Sequence, residues 1–299
     1  MSQELNQCPI CMSDRIFLLY RGIAVRTEWQ DGKKWPVWSC RSCQHAFTNP
    51  QPSPNQLEKY YDANYTAYSA DHGTTDFDSA LRTAKKFHEF RYVRINQGLR
   101  ILDVGCGGGF FLRICRELGA EIFGVEPSKH GVKTCRANAV PVFHGSLTEY
   151  IETKPLPFDL VTCNHVIEHH PRPVDFLKEM ASLKTPDGKV WMSVPNASSI
   201  FSRILRYRWH SSDLPVHLHH FSIHSFQKAV QMAELNIDNL QTASAGSVPS
   251  SVSQILRYRF LLPRRLTLPL IKVVVPDNGF IETKINKTFN GEAILSLTQ

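Results

Sequence analysis

Four cysteines near the N-terminus have the type and spacing of a metal site. They form two CxxC pairs, Cys8 with Cys11 and Cys40 with Cys43. Each pair can form a tight turn whose thiolates occupy two corners of a tetrahedron, and four thiolates without an open position are typical of structural zinc. The spacing therefore predicts a small zinc-ribbon-like module over residues 1–50. Reactive redox thiols are the alternative, and His45 is a possible substitute for Cys43 as a ligand.

A second group of residues forms a glycine-rich turn between a predicted strand and a predicted helix. The turn reads Asp103-Val-Gly105-Cys-Gly107-Gly108-Gly109, and Glu126 ends the next strand. Glycines let the backbone pass close to a ligand, with the amides of the following helix facing it. The dinucleotide pattern GxGxxG would require a glycine where Phe110 stands. The acid before the first glycine instead suits a ligand with an amino-acid end, such as S-adenosylmethionine (SAM), and Glu126 can accept two ribose hydroxyls.

Two histidine-rich segments are candidates for acid–base chemistry. One contains His165, Glu168, His169 and His170, and the other contains His217, His219 and His220. A general base is needed only if the acceptor of a transferred group must lose a proton, and it typically contributes ~10² to 10⁴-fold. The predicted catalytic residues are His220, the preferred base, with His165 and His169. On a helix, Glu168 and His169 would point in different directions, which argues against a second metal there.

The elements that position these residues follow from the pattern of apolar residues after position 99. Strands are predicted over 101–104, 121–126, 140–144, 158–166, 189–194 and 237–242, and helices over 110–118, 128–138, 174–183 and 223–235. This alternation predicts an α/β fold with a doubly wound, mainly parallel sheet. Upstream, residues 51–98 form an aromatic and helical connector, with a helix over about 79–97, that we expect to cover part of the substrate.

Three ordered motifs, LDVGCGGGFFL, GVEPS and FDLVTCNHVIEHHPRPVDFLKEM, resemble those of class I SAM-dependent methyltransferases over about residues 99–242. More narrowly, the chain resembles the ubiquinone-type and sugar methyltransferases, some of which also begin with a zinc module. The resemblance implies a seven-stranded Rossmann-like sheet and a methyltransferase domain over 99–299. Insertions are expected at about 196–221 and 246–290, and GEAILSLT (291–298) is expected to supply the last strand.

The resemblance also implies the residues that hold SAM. These are Asp103, Gly105, Gly107 and Gly109 at the methionine end, Glu126 at the ribose, Pro127, Ser146 and Leu147 at the adenine, and Asn164 and His165 beside the methyl group. Members of the family often carry an acid where this chain has Ser146, which weakens that one expected contact.

The composition is that of a globular protein. The chain has 299 residues, of which 42% are hydrophobic and 20% are charged, too apolar for a disordered protein. No apolar run reaches the ~18 to 20 residues needed to span a bilayer. The N-terminus lacks the basic and apolar regions of a secretory signal. These observations predict a cytoplasmic protein. The glycine turn and the cysteine pairs predict SAM and structural zinc as its cofactors.

The net charge of +7 lies mainly in residues 196–299, which hold 11 Lys and Arg against 6 Asp and Glu. This excess could attract RNA, an anionic lipid surface or a phosphorylated substrate. The leading prediction is methyl transfer to a small molecule, such as a sugar-derived or lipid-linked intermediate. An RNA methyltransferase and a non-catalytic SAM-binding scaffold are the alternatives. The basic, apolar segment 255–275 suggests peripheral membrane contact.

Overall fold

The computed structural model describes residues 2–24, 32–57, 60, 76–87, 93–243 and 280–286. In chain order the strands are β1 (Ile16–Gly22), β2 (Trp35–Cys40), β3 (Ala46–Thr48), β4 (Arg100–Val104), β5 (Glu121–Glu126), β6 (Val142–His144), β7 (Phe158–Asn164), β8 (Lys184–Pro195), β9 (His219–His220), β10 (Asn236–Ala243) and β11 (Phe280–Asn286). The helices are α1 (Pro54–Leu57), α2 (Phe77–Phe87), α3 (Phe110–Glu117), α4 (Lys129–Ala137), α5 (Leu147–Glu152), α6 (Pro173–Ser182), α7 (Ile200–Leu205) and α8 (Ile223–Met232). Within these ranges, every helix is too short or too polar to cross a membrane.

Seven strands form the larger sheet, in the spatial order β6-β5-β4-β7-β8-β11-β10. The strands β4 to β8 are parallel, and β11 lies antiparallel between β8 and β10. A parallel sheet is covered on both faces, so its strands are mainly apolar; Ile101 and Leu102 are both fully buried. The predicted doubly wound α/β fold is confirmed.

Helices cover the two faces of this sheet because successive side chains of a strand point to opposite sides. On one face, Ile101 packs with Leu112 of α3 and Cys135 of α4. On the other face, Leu102 packs in a larger core with residues of α5, α6 and α8, among them Phe176 and Phe226. The carboxyl ends of the parallel strands therefore meet at one edge, where ligands bind in open α/β sheets.

Four strands form the smaller sheet, in the order β1-β2-β3-β9. The first three come from the N-terminal 50 residues, and all pairings are antiparallel. The fourth, β9, comes from the segment that follows β8, so the N-terminal module shares its sheet with the larger domain. The core is also continuous, since Ile10 and the zinc-ligand candidates Cys8 and Cys40 belong to the same buried cluster as Phe226.

The structure corrects two predicted elements. The helix predicted over about 79–97 ends at Phe87, and residues 93–97 are not helical. Their apolar residues Val93 and Ile95 alternate with exposed neighbours and pack against the α3 side of the core. The last strand position is filled by β11 rather than by residues 291–298, so the expected insertion at about 246–290 ends in a strand of the sheet. Residues 244–279 and 287–299 lie outside the described residues.

Candidate active site

The four N-terminal cysteines converge on one point. Cys8 Sγ lies 3.5 Å from Cys43 Sγ, and Cys11 Sγ lies 3.6 Å from Cys40 Sγ. All four sulfur atoms lie within 4.8 Å of one another. In a tetrahedral site with Zn–S bonds of about 2.3 Å, sulfur atoms are about 3.8 Å apart. The donor set and its dimensions therefore fit a structural zinc ion.

The backbone around the cysteines forms two matching turns. The amide of Met12 donates to the carbonyl of Cys8, and the amide of Gln44 donates to that of Cys40, at 3.0 and 2.9 Å. Met12 and Gln44 both have a left-handed backbone, with φ of 59° and 57°. Amides also approach the sulfur atoms, with Ser42 N 3.3 Å from Cys40 Sγ. The hydrogen bond from Cys8 lowers the pKa of Cys43 to about 5, as suits a thiolate ligand.

The glycine turn after β4 requires its glycines for conformation and for space. Gly105, Gly107 and Gly109 have φ values of 71°, 55° and 80°, in the left-handed region that other residues rarely adopt. A Cβ atom at Gly105 would clash with the side chain of Val166. The turn thus runs close to the segment after β7 and opens towards the carboxyl edge of the sheet.

Two carboxylates flank this turn. Glu126, at the end of β5, accepts the amides of Gly107 and Ser128, both at 2.8 Å. Asp103 accepts the hydroxyl of Thr162 at 2.8 Å. Burial raises the pKa of Asp103 to about 7 despite that hydrogen bond, and burial also raises the pKa of Glu126 to about 7. Two buried carboxylates that form no ion pair within the described part of the chain fit a ligand that brings an ammonium group and ribose hydroxyls.

The residues predicted beside the adenine lie along the same edge. Pro127 is exposed directly after Glu126, and Leu147 is buried at the start of α5. Ser146 caps α5: its hydroxyl accepts the amide of Glu149 and donates to the Glu149 carboxylate, at 3.2 and 2.8 Å. The hydroxyl of Ser146 is therefore engaged in a helix cap.

The segment after β7 carries a fully buried carboxylate, Glu168. Its Oε1 atom lies 3.3 Å from His165 Nδ1 and 3.9 Å from His217 Nε2. Burial alone would raise the pKa of Glu168, but the hydrogen bond from His165 and the neighbouring imidazoles outweigh it and lower the pKa to about 2. Glu168 is therefore ionised. Its Oε2 atom has no hydrogen-bond partner within the described part of the chain.

Two of the imidazoles around Glu168 have defined tautomers. His217 Nδ1 lies 2.9 Å from the carbonyl of Ser211, and His169 Nδ1 lies 2.9 Å from the carbonyl of Val216. A carbonyl only accepts, so both Nδ1 atoms carry protons, and in a neutral His217 ring the lone pair is then on Nε2. Burial lowers the pKa of His217 to about 3, so its ring is neutral at pH 7.

Glu168, His169 and His217 bring one donor atom each to within 4.8 Å of one another. The expectation that Glu168 and His169 would point apart is wrong, because Ile167–His169 is a single 3-10 turn rather than a longer helix. A carboxylate and two imidazole nitrogens in this arrangement can share a proton or bind a divalent cation. Sequence reasoning grouped His217 with its neighbours but did not select it, since only the fold brings it to Glu168.

The preferred base of the sequence analysis, His220, lies on β9. It is buried, and burial lowers its pKa to about 4. Its Nε2 atom has no hydrogen-bond partner among the described residues. His219, on the same strand, instead bonds His45 of the zinc module, with 3.0 Å between His219 Nδ1 and His45 Nε2. His45 thus joins the N-terminal module to the segment that carries β9, within the smaller sheet.

A family model described as a methyltransferase domain matches residues 77–240. The chain belongs to this family, and it is a class I SAM-dependent methyltransferase. The match to the family model begins at α2, so the cysteine pairs lie outside the matched region.

Two relatives of this chain are both named ubiquinone biosynthesis O-methyltransferase. The mitochondrial ubiquinone biosynthesis O-methyltransferase of Schizosaccharomyces pombe is 29% identical over 201 residues, which cover 63% of this chain and 71% of the relative. The ubiquinone biosynthesis O-methyltransferase of Maricaulis maris is 34% identical over 133 residues, which cover 42% of this chain and 52% of the relative. The chain thus spans about half the length of the second relative.

Solved structures show the same fold at low sequence identity. A SAM-dependent methyltransferase from Archaeoglobus fulgidus has a TM-score of 0.50 at 19% identity, over 71% of this chain and 95% of that one. The cyclase SpnF has a TM-score of 0.52 at 16% identity, over 79% of this chain and 97% of that one. Because one of these two is named a cyclase, the fold alone does not define the reaction.

Proposed function

We propose that the chain transfers the methyl group of SAM to a small polar acceptor held at the carboxyl edge of β4 and β7. The observation that carries the proposal is the buried, ionised Glu168 beside the lone pair of His217, next to the glycine turn. A buried carboxylate repels a polyanion but can bind a hydroxyl or amine of a small acceptor. This favours a small molecule over RNA.

The residues around the glycine turn would hold SAM, which supplies a methyl group on a positively charged sulfur when bound. Asp103 would bind the ammonium group, Glu126 the ribose hydroxyls, and Pro127 one face of the adenine. The backbone of Gly105, Gly107 and Gly109 would line the methionine part, Ser146 and Leu147 would lie near the adenine, and Asn164 and His165 would border the methyl group. Alignment of two bound reactants can supply ~7 to 11 kcal/mol of the barrier reduction.

A base is needed if the acceptor is a hydroxyl, and we propose His217 for this role. Its tautomer leaves the Nε2 lone pair free, and Glu168 is the charge that would stabilise the imidazolium formed when His217 takes the proton. His220 is the second candidate, because its Nε2 atom is also without a partner among the described residues. His169 and His165 would orient Glu168 and the acceptor.

The acceptor class is sugar-derived or lipid-linked. The names of the two relatives support an oxygen acceptor, and the exposed Arg203, Arg206 and Arg208 beside α7 would suit a phosphate or carboxylate on it. These arginines lie in the predicted insertion at about 196–221, which connects β8 to β9.

The test is methyl transfer from labelled SAM to fractionated cell extract. We expect label in a small-molecule or lipid fraction and none in RNA, and His217→Gln should lower transfer ~10² to 10⁴-fold while affinity for S-adenosylhomocysteine (SAH) changes less than twofold. His220→Gln is the matched variant, and a loss confined to it would move the role of base to His220. Label in RNA alone would replace the proposal with an RNA methyltransferase. Tight SAH binding without any methyl transfer would favour the alternative of a non-catalytic SAM-binding scaffold.

A further inference from the structure

The pairing of β3 with β9 joins the zinc module to the segment 213–221. Ala46 pairs with His220 and Phe47 pairs with His219. Beyond that short ladder, Thr48 makes two further bonds to the same segment. Its amide donates to the carbonyl of Leu218 at 2.9 Å, and its hydroxyl donates to the carbonyl of His217 at 3.0 Å.

The opposite side of this segment is bonded to the loop that carries Glu168. The amide of Leu218 donates to the carbonyl of Glu168 at 2.8 Å. Residues 217 and 218 are therefore held between Thr48 of the zinc module and the backbone of Glu168. Thr48 and Leu218 are almost wholly buried, at 0% and 2% exposure, so no water replaces these bonds without opening the core.

The position of Thr48 depends in turn on the cysteine cluster. Cys43, a zinc-ligand candidate, lies five residues before Thr48. The amide of Cys40, another candidate, donates a hydrogen bond to the carbonyl of His45 at 2.9 Å, which ties the turn to the start of β3. From Cys43 to Thr48 the chain thus runs from the turn that would hold zinc directly into β3. A shift of β3 would move the backbone of His217 relative to Glu168.

We propose that Thr48 is a positioning residue of the active site, through which the zinc module sets the distance between His217 and Glu168. The proposal rests on the function proposed above for His217, but the Thr48 bonds are present whether or not His217 is the base. A zinc module that only stabilises the fold would leave the His217 ring unchanged when one hydroxyl is removed.

The test is ¹⁵N NMR of the histidine side chains in the zinc-loaded, SAH-bound full-length protein. The His217 signal is identified by its absence in His217→Gln. In Thr48→Val, which keeps the shape and the amide but loses the hydroxyl, we expect the His217 Nδ1 and Nε2 signals to move and the amide of Leu218 to exchange roughly tenfold faster. Thr48→Ser keeps the hydroxyl and should restore both readouts to those of the unaltered protein.

Ser42→Ala is the matched control in the same module, because the Ser42 hydroxyl bonds Ser13 Oγ at the surface, 2.9 Å away. It should leave His217 unchanged. Zinc content and SAH affinity are measured for every variant, and Thr48→Ala replaces Thr48→Val if the latter does not fold. Unchanged His217 signals in a folded variant that lacks the hydroxyl would overturn the proposal, as would the failure of Thr48→Ser to restore them. Neither result depends on finding an acceptor, so failure here is distinct from failure of the methyl-transfer assay.

Discussion

His217 Nε2 lies 3.9 Å from Glu168 Oε1, and both side chains are buried. Glu168 follows β7 of the larger sheet, whereas His217 precedes β9 of the smaller one. This contact therefore lies where the two sheets meet, beside the segment that approaches the glycine turn. A buried carboxylate is costly unless its neighbours compensate, so the contact has consequences for both stability and chemistry.

Glu168→Gln should lower the free energy of unfolding at pH 7. The pKa of Glu168 is lowered to about 2 by its imidazole neighbours, so the ionised form is the one that the fold stabilises. Removal of that charge leaves His165 and His217 without their carboxylate, and we expect a loss of about 2 to 3 kcal/mol in urea denaturation. Glu152→Gln, at the exposed end of α5, is the control and should change stability by less than about 0.5 kcal/mol. Equal effects of the two variants would contradict the structural role of Glu168.

Glu126→Gln should weaken SAH binding by about 10 to 100-fold. The carboxylate orders the glycine turn through Gly107 N at 2.8 Å, and hydrogen bonds to a charged group contribute about 1.5 to 3 kcal/mol each. Isothermal titration calorimetry with SAH measures the loss. Glu149→Gln removes a nearby exposed carboxylate that caps α5, and it should leave the affinity within about threefold. A Glu126 variant with unchanged affinity would remove this residue from the SAM site.

Gly105→Ala should destabilise the protein more than Gly98→Ala. Both glycines have positive φ, 71° and 82°, so both variants carry the conformational cost of about 1 to 2 kcal/mol. Only at Gly105 does the new Cβ also clash, with Val166, whereas nothing lies within 4 Å at Gly98. Gly105→Ala should therefore lower the free energy of unfolding by about 1 to 3 kcal/mol more than Gly98→Ala does, and thermal unfolding measures this excess. In the double variant Gly105→Ala, Val166→Ala this excess should shrink; if it persists, the clash is not its cause.

Much of the fold could be predicted because its signals are local. β5 begins and ends where the sequence predicted, and Ser128 caps α4 as its residue type favours. The pairing of β9 with β3 left no such signal, since a two-residue strand has no periodicity. For the same reason the contact of Glu168 with His217 was not predicted: it depends on the route of the chain between β8 and α8. The last strand was misplaced because FIETKIN alternates weakly.

Metal analysis should find one zinc ion per chain, bound by the N-terminal cysteines. Cys43→Ser should abolish it and lower the melting temperature, because the ion joins Cys8 and Cys11 to the end of β2. Cys115→Ser, on the buried face of α3, is the matched control and should keep the ion. A chain that contains no zinc but forms a disulfide within a CxxC pair would favour the redox alternative.

Binding of SAH should release protons near neutral pH. Burial raises the pKa of Asp103 and of Glu126 to about 7 in the free protein, well above their usual values near 4. Raised carboxyl pKa values mean that the free protein loses stability as the pH rises from about 4 through 7. A ligand that brings an ammonium group and hydroxyl donors favours the ionised carboxylates, so it lowers both pKa values and expels protons. SAH affinity should therefore rise from pH 6 to pH 8. Calorimetry in two buffers of different ionisation enthalpy counts the protons, and Asp103→Asn should reduce the count. Proton uptake, or an affinity independent of pH in this range, would show that these carboxylates are already ionised before the ligand binds.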